Sequence, residues 1–235
     1  MTDKYLPKAE QKTEFVRSMF DGIAHRYDLV NRLMTLGLDR SWRRSAIRLM
    51  DLDRGSTIVD LGCGTGDLIR EASRVGLQSI GIDLSFQMLV AARNVNAPFV
   101  QADASQLPIA TGSIDGVVSG FALRNFSDQH TVFAEIYRAL IPGGRLSILE
   151  VDRPQQRWIR FGHRIWFNHV VPRIGALFSV AAAYRYLPQS IAYLPSPQEL
   201  ETMLQSVGFA QIDRRQLQRG LAQIVTATKP MMSSC

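Results

Sequence analysis

Cysteine is almost missing from this chain, with Cys63 inside a glycine-rich loop and Cys235 at the last position. Two residues so placed exclude a disulfide framework, and no Cys/His group stands at metal-ligand spacing, so a reducing cytoplasmic compartment is expected. His130, His163 and His169 have no partner at ligand spacing, and no metal is assigned to them. Long apolar runs are also missing. The longest, around Ile174 to Ala183, is about half of what a bilayer-crossing helix needs. The opening residues, Met1 to Lys8, hold no apolar signal-peptide core. A protein that is soluble, or at most peripheral to a membrane, is expected.

What is present fits one globular domain. With 46% hydrophobic residues over 235 positions, the chain can bury a full core. Its net charge is +6, but the excess is local: five arginines and a single acid lie between Asp152 and Arg173. From Ala9 to Asp51 the apolar positions, Phe15, Met19, Ile23, Tyr27, Val30 and Met34 among them, recur every three or four residues, as in helices. Short β-rich runs follow at 57–61, 79–83, 99–103, 114–119 and 145–150, separated by helical segments at 68–74, 87–93 and 131–140. Apolar strands alternating with helices predict a parallel sheet covered on both faces. After Glu150 the alternation stops for over forty residues. It resumes with a helix at 197–207 and two strands, 211–217 and 223–228, whose tight link at Arg219-Gly220 predicts an antiparallel edge hairpin. The domain therefore divides into an N-terminal helical cap (1–52), a cofactor-binding half (53–152), a helical insertion (153–196) and a C-terminal helix and hairpin (197–230).

Asp60-Leu61-Gly62-Cys63-Gly64-Thr65-Gly66 follows the first strand and opens a helix. Alternating glycines let the backbone turn sharply and approach a ligand, with helix amides beyond to receive an acidic group. Asp83 ends the next strand, where a carboxylate accepts ribose hydroxyls. A dinucleotide fingerprint needs a third glycine where Asp67 stands, and Asp60 and Asp67 would repel a pyrophosphate. A zwitterionic amino acid with a sulfonium centre suits this acidic loop better, so S-adenosylmethionine is the expected cofactor. Asp103, with Ala104 beside it, is placed to meet the adenine amino group. The expected cofactor-binding residues are Asp60, Gly62, Gly64, Thr65, Gly66, Asp83, Met88, Asp103, Ala104 and Ser119.

Further stretches are more particular. Tyr27-Asp28-Leu29-Val30-Asn31 with Trp42, Gly120-Phe121-Ala122-Leu123-Arg124-Asn125, Arg138 to Leu146 with Glu150, and Tyr184 to Ile191 resemble signatures of the ubiquinone/menaquinone biosynthesis C-methyltransferase family. The resemblance covers about Phe15 to Gly208. Asp39 stands where the family usually has histidine, Gln189 where glutamate is common, and Gly120 where members carry a serine, with Ser119 its neighbour. The resemblance implies an α/β, Rossmann-like class I methyltransferase fold with a seven-stranded, mostly parallel sheet. It also implies methylation of a ring carbon on a prenylated quinol: demethylmenaquinol, its phytyl analogue or a ubiquinone precursor. Such a ring is a weak carbon nucleophile until a hydroxyl loses its proton. A guanidinium nearby lowers a phenolic pKa by ~1–3 units, and near-attack positioning removes a further ~7–11 kcal/mol. Arg124 is expected to stabilise the quinolate and Asn125 to orient it, with Tyr27, Asp28 and Asn31 closing the site. Asp28, His25 and ordered water are the candidate proton acceptors.

Arg153, Arg157, Arg160 and Arg164 form one helical stripe, with Trp158, Phe161 and Ile165 one residue further round. Such a helix either lies in a membrane interface at the inner face of the cytoplasmic membrane or serves as a lid with a solvated face. An RNA substrate is the other class that the basic pI admits, but no RNA-binding module accompanies it. A non-enzymatic quinone or cofactor carrier would need the loop without the Arg124-Asn125 pair. A homodimer is left open.

Overall fold

The computed structural model describes residues 9–152, 186 and 189–231. Three helices open the described chain: α1 (Ala9–Ile23), α2 (Tyr27–Thr35) and α3 (Asp39–Arg48). The alternating part then runs β1 (Thr57–Leu61), α4 (Asp67–Arg74), β2 (Gln78–Asp83), α5 (Phe86–Ala91), β3 (Phe99–Gln101) and β4 (Ile114–Gly120). A 3-10 turn (Leu123–Asn125), α6 (Gln129–Ala139) and β5 (Leu140–Val151) come next. A second 3-10 turn (Ser190–Tyr193), α7 (Pro197–Val207), β6 (Ala210–Leu217) and β7 (Ala222–Thr228) close it. The sheet has seven strands in the order β3-β2-β1-β4-β5-β7-β6. The first five are parallel, and β7 is antiparallel to both neighbours. Gln218, Arg219 and Gly220 all take positive φ at the hairpin link.

Strand residues alternate between two cores, as a period of two requires. Val59, Val117, Leu146 and Val225 pack on one face with α6 and α7 through Val132, Phe133, Ile136, Leu200 and Leu204. Ile58, Val118, Leu149 and Ile224 pack on the other, against Trp42, Ala46 and Ile47 of α3 and Leu68 and Ala72 of α4. Helix ends are set by local chemistry. Ser85 caps α5, Asp128 caps α6, and Ser196 with Glu199 forms a capping box on α7.

β1 and β4 are neighbours although not consecutive, so the chain leaves their carboxyl ends in opposite directions. A crevice opens at such a switch point. Among the boundaries that differ from expectation, β3 ends at Gln101, leaving Asp103 in the loop beyond it, and β5 begins at Leu140. The stripe Arg153–Arg164 and its aromatics lie outside the described residues. Among the described residues, no helix is long and apolar enough to cross a membrane.

Candidate active site

A cleft lies at the switch point, lined by Gly62 and Gly64 of the loop, Asp83, Met88, Asp103 and Ala104, and by Gly120, Phe121 and Asn125 after β4. The β1–α4 loop needs glycine for steric reasons. At Gly62 φ is +70°, and an added Cβ would lie 2.6 Å from that of Ala122. At Gly66 φ is +81°, with Val95 3.1 Å from an added Cβ. Thr65 turns away from the cleft, its hydroxyl donating to Asp28. That bond ties α2 to the loop.

The carboxylates differ in how they are held. Asp83 Oδ2 accepts from the Gly64 amide at 2.7 Å and Oδ1 from the Ser85 amide at 2.9 Å. A carboxylate offers about four acceptor positions, so capacity remains for two hydroxyls. Burial pushes its pKa up, while the Ser85 and Gly64 amides oppose the rise. Asp103 Oδ1 accepts from the Ser105 amide and hydroxyl, both at 2.8 Å, and Oδ2 takes part in neither bond. Asp60 is 1% exposed, and both its oxygens lack a hydrogen-bond partner. Burial raises its pKa to about 8; Arg43 opposes the rise, whereas Asp83 and Asp67 add to it. Arg43 pairs with buried Asp39, the residue standing at the family's histidine position, and reaches Asp67 at 3.7 Å.

The expected acceptor-side residues separate into two groups. Tyr27 and Asn125 line the cleft. Arg124, Asp28, Asn31 and Ser119 do not. Arg124 is 6% exposed; its guanidinium pairs with Glu150 and donates from Nε to Ser190 Oγ at 3.0 Å. Those partners engage Nε and Nη1, and the side chain stands behind the cleft lining, whereas the expectation placed it against the ring oxygen. Ser119 is buried and donates to the Leu61 carbonyl at 2.7 Å, so it joins β4 to β1 and does not stand in at Gly120. The buried Nδ2 of Asn31 is without a partner. Burial raises the Tyr27 pKa, against the nearby guanidinium groups of Arg43 and Arg124.

Several lining residues went unforeseen. Thr13, Val16, Arg17 and Phe20 of α1 form one wall, at the i, i+3, i+4, i+7 spacing of a single helix face. The helix is fastened at both ends. Lys12 Nζ donates to the Phe126 carbonyl at 2.7 Å, and the Thr13 and Ser127 hydroxyls are 2.6 Å apart. Further along, Asp21 Oδ1 accepts from the Ser85 hydroxyl at 2.6 Å. Phe121 lines the cleft with φ +61°, a left-handed conformation that costs a bulky residue of order 1–3 kcal/mol. Its amide bond to the Leu149 carbonyl, at 2.7 Å, helps hold it there.

An open α/β sheet with this strand order, a glycine loop after β1 and an acid ending β2 defines the class I S-adenosylmethionine-dependent methyltransferase. Residues 8–229 match the family model described as the ubiE/COQ5 methyltransferase family, and the chain belongs to that family. A demethylmenaquinone methyltransferase of Roseiflexus castenholzii is 38% identical, with 97% of this chain and 99% of that protein covered. The ubiquinone/menaquinone biosynthesis C-methyltransferase UbiE of Geobacter sulfurreducens is 36% identical over 93% of this chain and 90% of its own length. Among solved structures, an S-adenosylmethionine-dependent methyltransferase from Thermotoga maritima superposes with a TM-score of 0.65 at 19% identity. The match covers 91% of this chain and 99% of that one.

Proposed function

We propose that this enzyme methylates a ring carbon of demethylmenaquinol, giving menaquinol. The observation that carries the reading is one cleft in which Asp83, Asp103 and Asn125, beside Tyr27 and Phe121, face the same space. The family and the names of its relatives support the choice of acceptor. S-adenosylmethionine supplies an electrophilic methyl on a positively charged sulfur. The residues present fit it. Asp83 and Asp103 line the cleft with acceptor capacity to spare, and the unpartnered Asp60 carboxyl, buried behind the lining at the root of the loop, would suit a cationic amino group. Asn125 would hydrogen-bond the ring oxygen, and Tyr27 with Phe121 would flank the ring. The ring carbon gains the methyl and loses its proton, leaving S-adenosylhomocysteine and a rearomatised quinol. Asp28 is hydrogen-bonded to Thr65 and outside the cleft lining, which favours water over it as the proton acceptor.

Incubation with methyl-labelled cofactor and three reduced acceptors tests this reading. The acceptors are demethylmenaquinol, its phytyl analogue and the ubiquinone precursor. Label is expected chiefly in the first; label in none of them overturns it. The arginine stripe 153–164 is proposed to meet an anionic bilayer surface, where a prenylated acceptor dissolves. Its replacement by glutamine would then abolish liposome binding.

A further inference from the structure

Asn125 and Arg124 are adjacent, and each reaches across to the segment before α7. Arg124 Nε meets Ser190 Oγ at 3.0 Å, and Asn125 Oδ1 accepts from the Tyr186 hydroxyl at 3.2 Å. Tyr186 is 1% exposed, its ring 5.3 Å from that of Phe15. A buried phenol must find a polar partner, and here that partner is a side chain of the cleft. The Asn125 Nδ2 also makes a long 3.5 Å contact to the Phe121 carbonyl. A carbonyl only accepts, so rotating the carboxamide by half a turn would set Oδ1 against it and leave the phenolic hydrogen without an acceptor.

We propose that Tyr186 is a positioning residue that fixes the Asn125 carboxamide so that the cleft meets an Nδ2 hydrogen. This rests on the reading that an ionised ring oxygen is bound there. A donor at that point favours the oxyanion over the neutral hydroxyl, and a pre-aimed donor needs no reorganisation as charge develops. The phenol remains a donor throughout the working range, because burial pushes its pKa up to about 12. Arg124, clamped by Glu150, holds the turn that carries Asn125.

The test begins with Tyr186→Phe, which keeps the ring and its packing on Phe15. Turnover should fall about tenfold, with the cofactor KM within about twofold of the parent. In an Asn125→Ala background the same change should alter turnover by less than about twofold; a full additional tenfold loss would overturn the proposal. Asn125→Asp keeps the acceptor for Tyr186 but offers the cleft an anion, so it should turn over more slowly than Asn125→Ala. Parity with the parent would refute the polarity. The last readout involves no methyl transfer. With S-adenosylhomocysteine present, the absorbance of bound 2-naphthol should report a phenolic pKa about one unit below that of free naphthol. Tyr186→Phe should move it back by about half. An unshifted pKa in the parent defeats the proposal, whereas a shifted one in a protein that methylates no quinol defeats only the choice of acceptor.

Discussion

On the side of the cleft proposed to hold the cofactor, Gly62, Gly64 and Asp83 belong to one βαβ unit and are tied by short-range bonds, such as the Gly64 amide to Asp83. On the side proposed for the acceptor, Asn125 is bonded to Tyr186, and its neighbour Arg124 to Glu150 and Ser190, drawn from separate segments. A loop shaped by its own backbone tolerates side-chain changes that leave φ and local space intact. A side chain aimed by distant partners loses its role when any one of them goes. The cofactor side should therefore fail through steric or charge changes within the loop, and the acceptor side through cuts in the cross-links.

The sharpest way to break the comparison is Arg124→Ala. It leaves Glu150 buried without its cation, and Glu150 already has its pKa raised by burial, with Arg124 opposing the rise. A loss of about 3–5 kcal/mol is expected in denaturant unfolding. Asn125→Ala should lower kcat about 100-fold, as removal of an anion-stabilising donor does. Calorimetric affinity for S-adenosylhomocysteine should hardly change.

Asp60 tests the cofactor side. Its folded pKa of about 8 lies above the unfolded value, so the folded protein retains a proton that the unfolded chain gives up. Stability should fall as pH rises from about 4 to about 8, and Asp60→Asn should make that fall shallower, leaving the share of Asp83 and Glu150, whose burial acts in the same direction. A cationic group bound there favours the carboxylate. Cofactor affinity should thus climb with pH up to about 8, by at most about tenfold per unit, and be flat and weaker in Asp60→Asn. Calorimetry in buffers of different ionisation enthalpy would detect the released proton. The smallest effect is expected from Lys12→Gln, which loosens α1 across the cleft. Stopped-flow measurement should show S-adenosylhomocysteine leaving about threefold faster.

The strands, the glycine loop and the edge hairpin were readable in the chain because each is a local pattern: alternation, a turn that admits only glycine, and a two-strand link. Asp83 was legible for the same reason, since it follows the loop at the spacing of one βαβ unit. The pairing of Arg124 was not legible because position after a strand does not say which way a long side chain turns. A buried Glu150 beside it, far along the sequence, decided that. The α1 wall was missed because its cleft face mixes Thr13 and Arg17 with Val16 and Phe20, and such a face resembles a solvated one.

The sequence by itself determined the class of fold, the methyl donor and the family, since contiguous residues carry all three. Only the tertiary structure decided which side chains line the cleft and how they are held. Tyr186 lies 61 positions from Asn125, and no local pattern encodes a hydrogen bond between segments that meet only when the sheet and its covering helices have packed.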